Sequence, residues 1–368
     1  MRGIWMNEKK FTIVFLCIAE FFFLLNIFFW HMIVKPTFVD YDGHGDLTRL
    51  AGYYCGYPTT RLPQYARKHI PFADYLQMEN KPPIDILTIG DSFSNGNAGA
   101  WYQDYLADRY GKNVTHIHAS VCELAELLML IEQNGMLQEI SPKVVVLETV
   151  VRRIQDRFGS RALRVPTISK NTFIQTNIRI QEGTGGASGV GKGVFPDVMW
   201  KANQKYVSNK IKYMKDTKRL AGDVYRETLT KPCFTNPGQE NTLLFFYDDF
   251  WYRDGKADYE KINREMNALA DICARHNIRF VFMPCVDKFD LYYPYLENKD
   301  EYAENLFFEE FEQYPARYIL INTKETLRKK LEEDEKDIYW VDDTHWSWKG
   351  QQFVGDALME KLNAEGVW

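Results

Sequence analysis

The chain has 368 residues, 45% of them hydrophobic and 15% aromatic, with a formal net charge of -5. That length and composition allow one large folded domain or two small ones with a core that needs no staples, and they exclude a disordered chain. The weakly acidic balance gives no electrostatic case for binding nucleic acid, so no such partner is expected.

The first element is the run Phe11 to Val34, 24 residues in which only Thr12, Glu20, Asn26 and His31 are strongly polar. At roughly 1.5 Å per residue it can cross a hydrocarbon core about 30 Å thick, and it predicts a single transmembrane helix. A cleaved signal peptide would carry an apolar region of about 7–15 residues and then a small-x-small site; this run is longer and ends in Phe29-Trp30-His31-Met32. Arg2, Lys9 and Lys10 precede the span, and Lys35 alone follows closely before Asp40 and Asp42. That bias places residues 1–10 in the cytoplasm and the remaining chain outside. Glu20 is costly in a bilayer unless it is protonated, snorkels or meets a second membrane protein. Asn26 lies about 600° of helical rotation further on, so the two do not share a face.

Residues 35–80 read as a polar, aromatic-dotted connector that wraps the domain or spaces it from the bilayer. From 81 to 368 the chain alternates strand-like and helix-like stretches. Apolar strand runs are Ile84–Ile89, Val114–Ala119, Lys143–Val150, Ile278–Pro284 and Tyr318–Thr323, with a further strand-like piece at Asp337–Trp340. Amphipathic helical stretches are Ala98–Tyr110, Cys122–Leu137, Asp258–His276, Lys324–Glu333 and Trp348–Leu362. Short, nearly continuous apolar strands interleaved with helices imply an α/β domain: a flavodoxin-like, doubly wound parallel sheet of about five strands, with chemistry at their carboxyl ends.

An insertion at about 152–257 breaks the rhythm. It holds a glycine-rich run from Glu182 to Val194, a basic helix-like segment around Lys201–Lys218, and the aromatic stretch Phe245–Tyr252. Gly189-Val-Gly-Lys192 resembles a phosphate loop only superficially, since Gly193 stands where Ser or Thr belongs and no strand precedes it. A loop over the site is the expectation for the glycine run, and no nucleotide or other cofactor is expected. Of the six cysteines, Cys17 lies in the span and Cys55, Cys122, Cys233, Cys273 and Cys285 beyond it. One or two disulfides are possible outside the cytoplasm, but no C-x-x-C spacing argues for zinc or redox work. Cys122, Cys273 and Cys285 fall in apolar-periodic segments and read as buried thiols.

Two distant segments supply a serine, a histidine and an acid. Ile84-Asp-Ile-Leu-Thr-Ile-Gly-Asp-Ser92-Phe-Ser is an apolar strand that ends at Gly90 and offers a hydroxyl at its tip, ahead of Asn95-Gly-Asn-Ala and a helix. Ser92 would then sit where a helix N-terminus helps to bind an oxyanion, unless Ser92 or Ser94 merely caps that helix. Asp342-Asp343-Thr-His345-Trp-Ser-Trp-Lys-Gly sets an imidazole beside two carboxylates on a loop before the last helix. A serine needs such a base, itself oriented by an acid, to become a nucleophile at neutral pH. The expected catalytic set is Ser92, His345 and an aspartate, Asp343 ahead of Asp342. Glu148 and Arg152 close the third strand, either facing substrate or as a solvated ion pair. Lys288, after the fourth strand, would hold an anionic sugar polymer or the acid partner, or lie on the surface. His116 and His118 share one face of the second strand, too few ligands to predict a metal.

At these residues the chain resembles the SGNH (GDSL-type) hydrolases. Gly90-Asp91-Ser92 matches that family's first block, and an acid two or three residues before His345 matches its last; the resemblance covers roughly 83–150 and 278–365. Asp343-Thr-His345-Trp346 looks most like the Asp-x-His-Trp signature of the alginate O-acetyltransferases, and the anchor with His345-Trp-Ser-Trp-Lys-Gly is similar to DltD, the teichoic acid D-alanylation protein. The resemblance implies extracytoplasmic acyl transfer to a cell-envelope polysaccharide, with the acyl donor delivered through a polytopic membrane acyltransferase of the MBOAT class. An esterase, or a non-catalytic scaffold of an acylation complex, are the alternatives. The chain departs from the family in having His118-Ala-Ser-Val-Cys where the second block carries a glycine, and Leu147-Glu148-Thr where the third carries an asparagine that donates to an oxyanion. In the alginate proteins, moreover, the acid-histidine element precedes the serine.

Overall fold

The computed structural model describes residues 8–38, 45–51, 65–94, 101–118, 122–183, 198–215, 218–221, 223–254 and 257–368. Helix α1 (Glu8–Phe29) runs on through a π-helical turn, Trp30–Val34, into a short helical end. The stretch Glu8–Val34 is long and apolar enough to cross a membrane, with none of its most apolar window buried in the protein. Glu20 is exposed on it. Helix α2 (Asp46–Ala51) follows, inside the expected connector.

Strands β1 (Ile70–Pro71), β2 (Ile86–Gly90), β3 (Val114–His118) and β4 (Val144–Val150) come next. Arg219–Ala221, Val224–Thr228 and Thr242–Phe246 are β5, β6 and β7, and Arg279–Cys285 and Ile319–Leu320 are β8 and β9. The main sheet has the order β1-β3-β2-β4-β8-β9 with every pairing parallel. Its five inner and later strands keep the flavodoxin-like order, so the chain switches direction at β2 and β4, where such sheets open a crevice at their carboxyl ends. Every residue of β2 and of β4 is buried; runs such as Val144-Val-Val-Leu pack helices on both faces rather than alternate with water.

The helices that cover the sheet are α3 (Tyr102–Arg109), α4 (Leu124–Gln133), α6 (Tyr259–Ala274), α8 (Thr323–Glu332) and α9 (Trp348–Ala364), while α5 (Met199–Met214) and α7 (Lys288–Tyr292) lie elsewhere. Helices α4 and α6 pack together on one side, and α3, α8 and α9 form a chain of contacts on the other. The side chain of Asp258 caps α6, Asn322 caps α8 and Ser347 caps α9, each satisfying N–H groups that a helix start leaves open.

Two expectations need correction. The helix expected over 122–137 breaks at Gly135, which has φ +68°, and resumes as Met136–Ile140. The strand-like piece at 337–340 makes only an isolated bridge, Tyr339 to Trp346, because the carbonyls of Trp340 and Val341 accept from Lys288 instead of a neighbouring strand. The insertion builds a second, antiparallel sheet in the order β5-β6-β7. Leu47 of α2 is buried with Leu220, Val224 and Leu244 of that sheet, which holds the connector against the domain. Most of the glycine-rich run lies outside the described residues. Cys122, Cys233, Cys273 and Cys285 are free thiols.

Candidate active site

Strand β2 ends at Gly90, where a Cβ would strike the Glu148 carboxyl and the Ser94 hydroxyl, so the close approach requires glycine. The chain then turns within four residues: the Ser94 N–H donates to Asp91 O at 3.1 Å and the Phe93 N–H to Asp91 Oδ1 at 3.1 Å. This turn projects Ser92 at the carboxyl end of the sheet. Its Oγ lies 2.7 Å from Nε2 of His345. On the far side of the ring, Nδ1 lies 2.6 Å from Asp343 Oδ1, the same oxygen that accepts the backbone N–H of His345 at 3.0 Å. With its proton on Nδ1, the neutral imidazole can donate to Asp343 and accept the Ser92 hydroxyl proton on Nε2.

The ring is further fixed by packing. Phe93 meets the His345 ring at 4.9 Å and the buried Trp346 ring at 5.0 Å between centroids. Gln351 on α9 ties the two halves of the site together: its amide donates to Phe93 O at 3.3 Å and its carbonyl accepts the Tyr102 N–H at 3.0 Å. The first N–H of α3 is thus already used, and α3 begins at Tyr102 rather than directly behind Ser92. The expectation that a helix N-terminus close behind Ser92 helps to bind an oxyanion turns on residues 95–100. Residues 95–100 and 119–121, which include the expected second block, lie outside the described residues.

Asp46, on α2, is a site residue that the sequence reading missed. Its Oδ2 lies 3.6 Å from His345 Nδ1, and its Oδ1 accepts the Thr344 N–H at 2.8 Å. Burial and the Asp343 charge push the Asp46 carboxyl up to about 6, with His345 and Thr344 pulling the other way. Burial opposes charge on His345, but the charge and hydrogen bond of Asp343 and the charge of Asp46 outweigh it, so the imidazole pKa rises above its ordinary value. Asp342 faces away from the ring. Its Oδ2 accepts the Gly45 N–H at 2.7 Å and the Thr48 hydroxyl at 3.2 Å, and its carbonyl accepts the Leu47 N–H at 3.1 Å. Of the two adjacent aspartates, one holds the histidine and the other holds the connector.

Lys288 is corrected from a substrate-facing or surface group to an interior one. It is wholly buried, and Nζ donates to Trp340 O at 2.7 Å, Val341 O at 2.8 Å and Asp343 O at 3.0 Å. All three of its donors are used to shape the loop that carries Asp343 and His345. Burial outweighs the nearby carboxylates and lowers its pKa to about 8. Arg152 does not pair with Glu148; its Nη1 donates to Asp249 Oδ1 at 3.0 Å and Asp287 Oδ1 at 3.2 Å, with 12% of the side chain still exposed. The guanidinium lies close enough to oppose charge on His345.

Beneath Ser92 lies a second polar layer. Asp91 Oδ2 accepts the Val150 N–H at 3.0 Å and an Arg157 N–H. Burial alone would raise the Asp91 pKa, but the Arg157 charge and these hydrogen bonds hold it down to about 2. Glu148, where the family's third-block asparagine would stand, is fully buried and accepts from Ser94 Oγ and, at 3.2 Å, Cys285 Sγ. Burial first, then the Asp91 charge, pushes its pKa well above the usual carboxyl range, which favours the neutral acid over the carboxylate. It supports the turn from behind rather than donating to an oxyanion.

Asp46, Asp343 and His345 each bring one ligand atom within 4.8 Å of the others, a spacing that a cation could bridge. Ligation through Nδ1 would need that nitrogen free of its proton and would break the Asp343 hydrogen bond, so metal binding and the serine–histidine relay compete. His116 is engaged by Thr88, with Nδ1 2.9 Å from the hydroxyl, and burial lowers its pKa well below normal.

No family model matches the chain, and no curated protein matches it. Among solved structures it is similar to one described as a GDSL-like lipase from Parabacteroides merdae ATCC 43184, with a TM-score of 0.30 and 11% identity over 83% of this chain and 100% of that one. A likeness that slight carries no argument, and the α/β assignment rests on the sheet order itself.

Proposed function

We propose that the chain is a membrane-anchored serine acyltransferase that moves an acyl group, most simply acetyl, onto a hydroxyl of a cell-envelope or exported polysaccharide. Ser92 Oγ attacks the acyl carbon of the donor while His345 Nε2 takes its proton; the leaving group departs with that proton. A glycan hydroxyl then attacks the acyl-serine ester, gives its proton to Nε2, and Ser92 recovers it. Asp343 holds the ring in the tautomer this needs, and the imidazolium formed at each step is stabilised by Asp343 and Asp46 together. Arg152 borders the site and is the remaining candidate for contact with substrate.

The observation that carries this reading is the unbroken relay of 2.6 Å and 2.7 Å from Asp343 through His345 to Ser92. The acceptor class is supported by the resemblance of Asp343-Thr-His345-Trp346 to the alginate enzymes and by α1, which suits an anchor with the domain outside the cytoplasm. The donor would come through a polytopic partner of the MBOAT class; acyl transfer through serine requires no cofactor. The test is to incubate the full-length protein with an activated acetyl ester and a soluble oligosaccharide. Acetylated oligosaccharide formed faster than free acetate is the expected result; acetate alone would make the protein an esterase, and no Ser92-dependent product would leave the scaffold. A reporter fused after Trp368 should score as extracytoplasmic, and a cytoplasmic score would remove the envelope substrate.

A further inference from the structure

Helix α5 carries an apolar stripe that the protein does not cover. Trp200, Val207, Ile211 and Met214 are 47%, 45%, 46% and 80% exposed, and at 3.6 residues per turn they fall within roughly 60° of one another. A neighbouring face, roughly 100° round from the stripe, is docked on α1, with Trp200 at the boundary between the two. Met199 is buried with Trp30 and Val34, Tyr206 meets Phe29 at 5.6 Å and Trp200 meets Phe23 at 6.1 Å between ring centroids. Asn203 donates to Asn26 O at 2.9 Å, and Asn26 donates in turn to Phe22 O at 3.0 Å, which ties the helices together where they cross. Between the two helices runs a groove of about 750 Å³, lined on one side by Phe22, Leu25 and Phe29 and on the other by Trp200, Val207 and Ile211. That volume is in the range of a ligand pocket, roughly 300–1,000 Å³.

In water such a stripe would be a liability. Its neighbours explain it. Phe29, Trp30 and Val34, on which Tyr206 and Met199 pack, belong to the outer end of the stretch read as crossing the bilayer, so a helix docked on them lies where lipid chains meet headgroups. Exposed Lys201, Lys205, Lys212 and Lys215 lie along one edge of the stripe, roughly 60–140° round the helix from Trp200. An apolar face edged by lysines is the pattern of a helix lying in the membrane interface, where long side chains bring their charges up to phosphate. A partner protein helix would have to carry acidic side chains to match the lysine edge, whereas an anionic lipid brings its phosphate to that edge with its chains on the apolar face.

We infer that α5 is an interfacial helix and that the groove between α1 and α5 holds an acyl chain of an anionic phospholipid whose headgroup meets the lysine edge. This rests on the reading that α1 spans a membrane. Carbonate extraction of membranes tests that separately: release of the protein would sink the span, whatever α5 does. For α5, the full-length protein is placed in nanodiscs of phosphatidylcholine with brominated or plain chains, with and without phosphatidylglycerol. Subtracting the fluorescence of Trp200→Phe from that of the wild type isolates Trp200. The expected result is that brominated chains cut this signal by about half or more, that phosphatidylglycerol deepens the loss, and that Lys201→Glu/Lys205→Glu abolishes only the deepening. Equal Trp200 signal in brominated and plain lipid, as a bound protein partner would give, overturns the groove assignment. Quenching indifferent to phosphatidylglycerol overturns the choice of an anionic lipid.

Discussion

Asp46 Oδ2 and His345 Nδ1 stand 3.6 Å apart, one just beyond the apolar N-terminal helix and the other close to the C-terminus. The first prediction follows from that charge. The reaction needs an unprotonated imidazole, so the rate falls as pH drops through the His345 pKa, which Asp343 and Asp46 raise. Asp46→Asn keeps an acceptor for Thr344 but removes the charge, so the acid limb of the pH profile of kcat/KM should move to lower pH. Asp46 is itself held up at about 6, so the difference from wild type should be largest above that value. A variant with a lower rate but an unmoved acid limb would reduce Asp46 to a strap for the loop.

The two adjacent aspartates should separate cleanly. Asp343→Asn favours the wrong imidazole tautomer, and a comparable substitution costs about 10⁴ in turnover. Asp342→Asn acts on the connector and on the charge balance at Lys288, and should cost less than about tenfold in kcat, with a stability loss of about 1 kcal/mol from weakened bonds to Gly45 and Thr48. The opposite ranking would hand the orienting role to Asp342.

Lys288→Met leaves the carbonyls of Trp340, Val341 and Asp343 without their buried donor. A loss on the order of 3 kcal/mol in urea unfolding is expected, along with a fall in kcat and little change in KM, because the residue shapes the loop and does not touch substrate. A change confined to KM would return Lys288 to substrate binding.

Under Ser92, the carboxyl whose pKa is pushed up and the one whose pKa is held down should respond differently to amides. Glu148→Gln puts a neutral group of the same shape where burial and the Asp91 charge already disfavour a carboxylate, and should cost about 1 kcal/mol or less. Asp91→Asn takes from the Arg157 cation the nearer and more buried of its two counter-charges, Glu123 staying at 3.5 Å, at about 3 kcal/mol. The sign with pH follows: Asp91, held down to about 2, contributes stability that is full above its unfolded value of 3.8 and is lost as pH falls toward 2. Asp91→Asn should flatten that acid limb of the unfolding curve; an unchanged limb would refute the assignment.

The parallel sheet was legible because runs such as Ile84–Ile89 and Lys143–Val150 are apolar without alternation, and each is followed by a helical period. Ser92 and the Asp342–His345 segment were legible as residue types whose chemistry needs one another. Asp46 was not, since Gly45-Asp46-Leu47-Thr48 has no period or motif; it reaches His345 through Asp342 and a hydrophobic cluster with β5, β6 and β7. Lys288 misled for a related reason. A lysine flanked by aspartates reads as solvated, and only the fold brings three carbonyls to one point inside the protein. The choice between Asp342 and Asp343 turns on which way a loop faces, which spacing alone leaves open.

The central claim is that Ser92 carries the acyl group. The full-length protein, mixed with an activated acetyl ester, quenched in acid and measured by intact mass and peptide mapping, should gain one acetyl group located on Ser92. His345→Ala should suppress its formation, and Ser92→Ala should abolish it while the protein keeps its wild-type melting temperature within a few degrees. An acetyl group on another residue, or the same adduct in Ser92→Ala, would contradict the account.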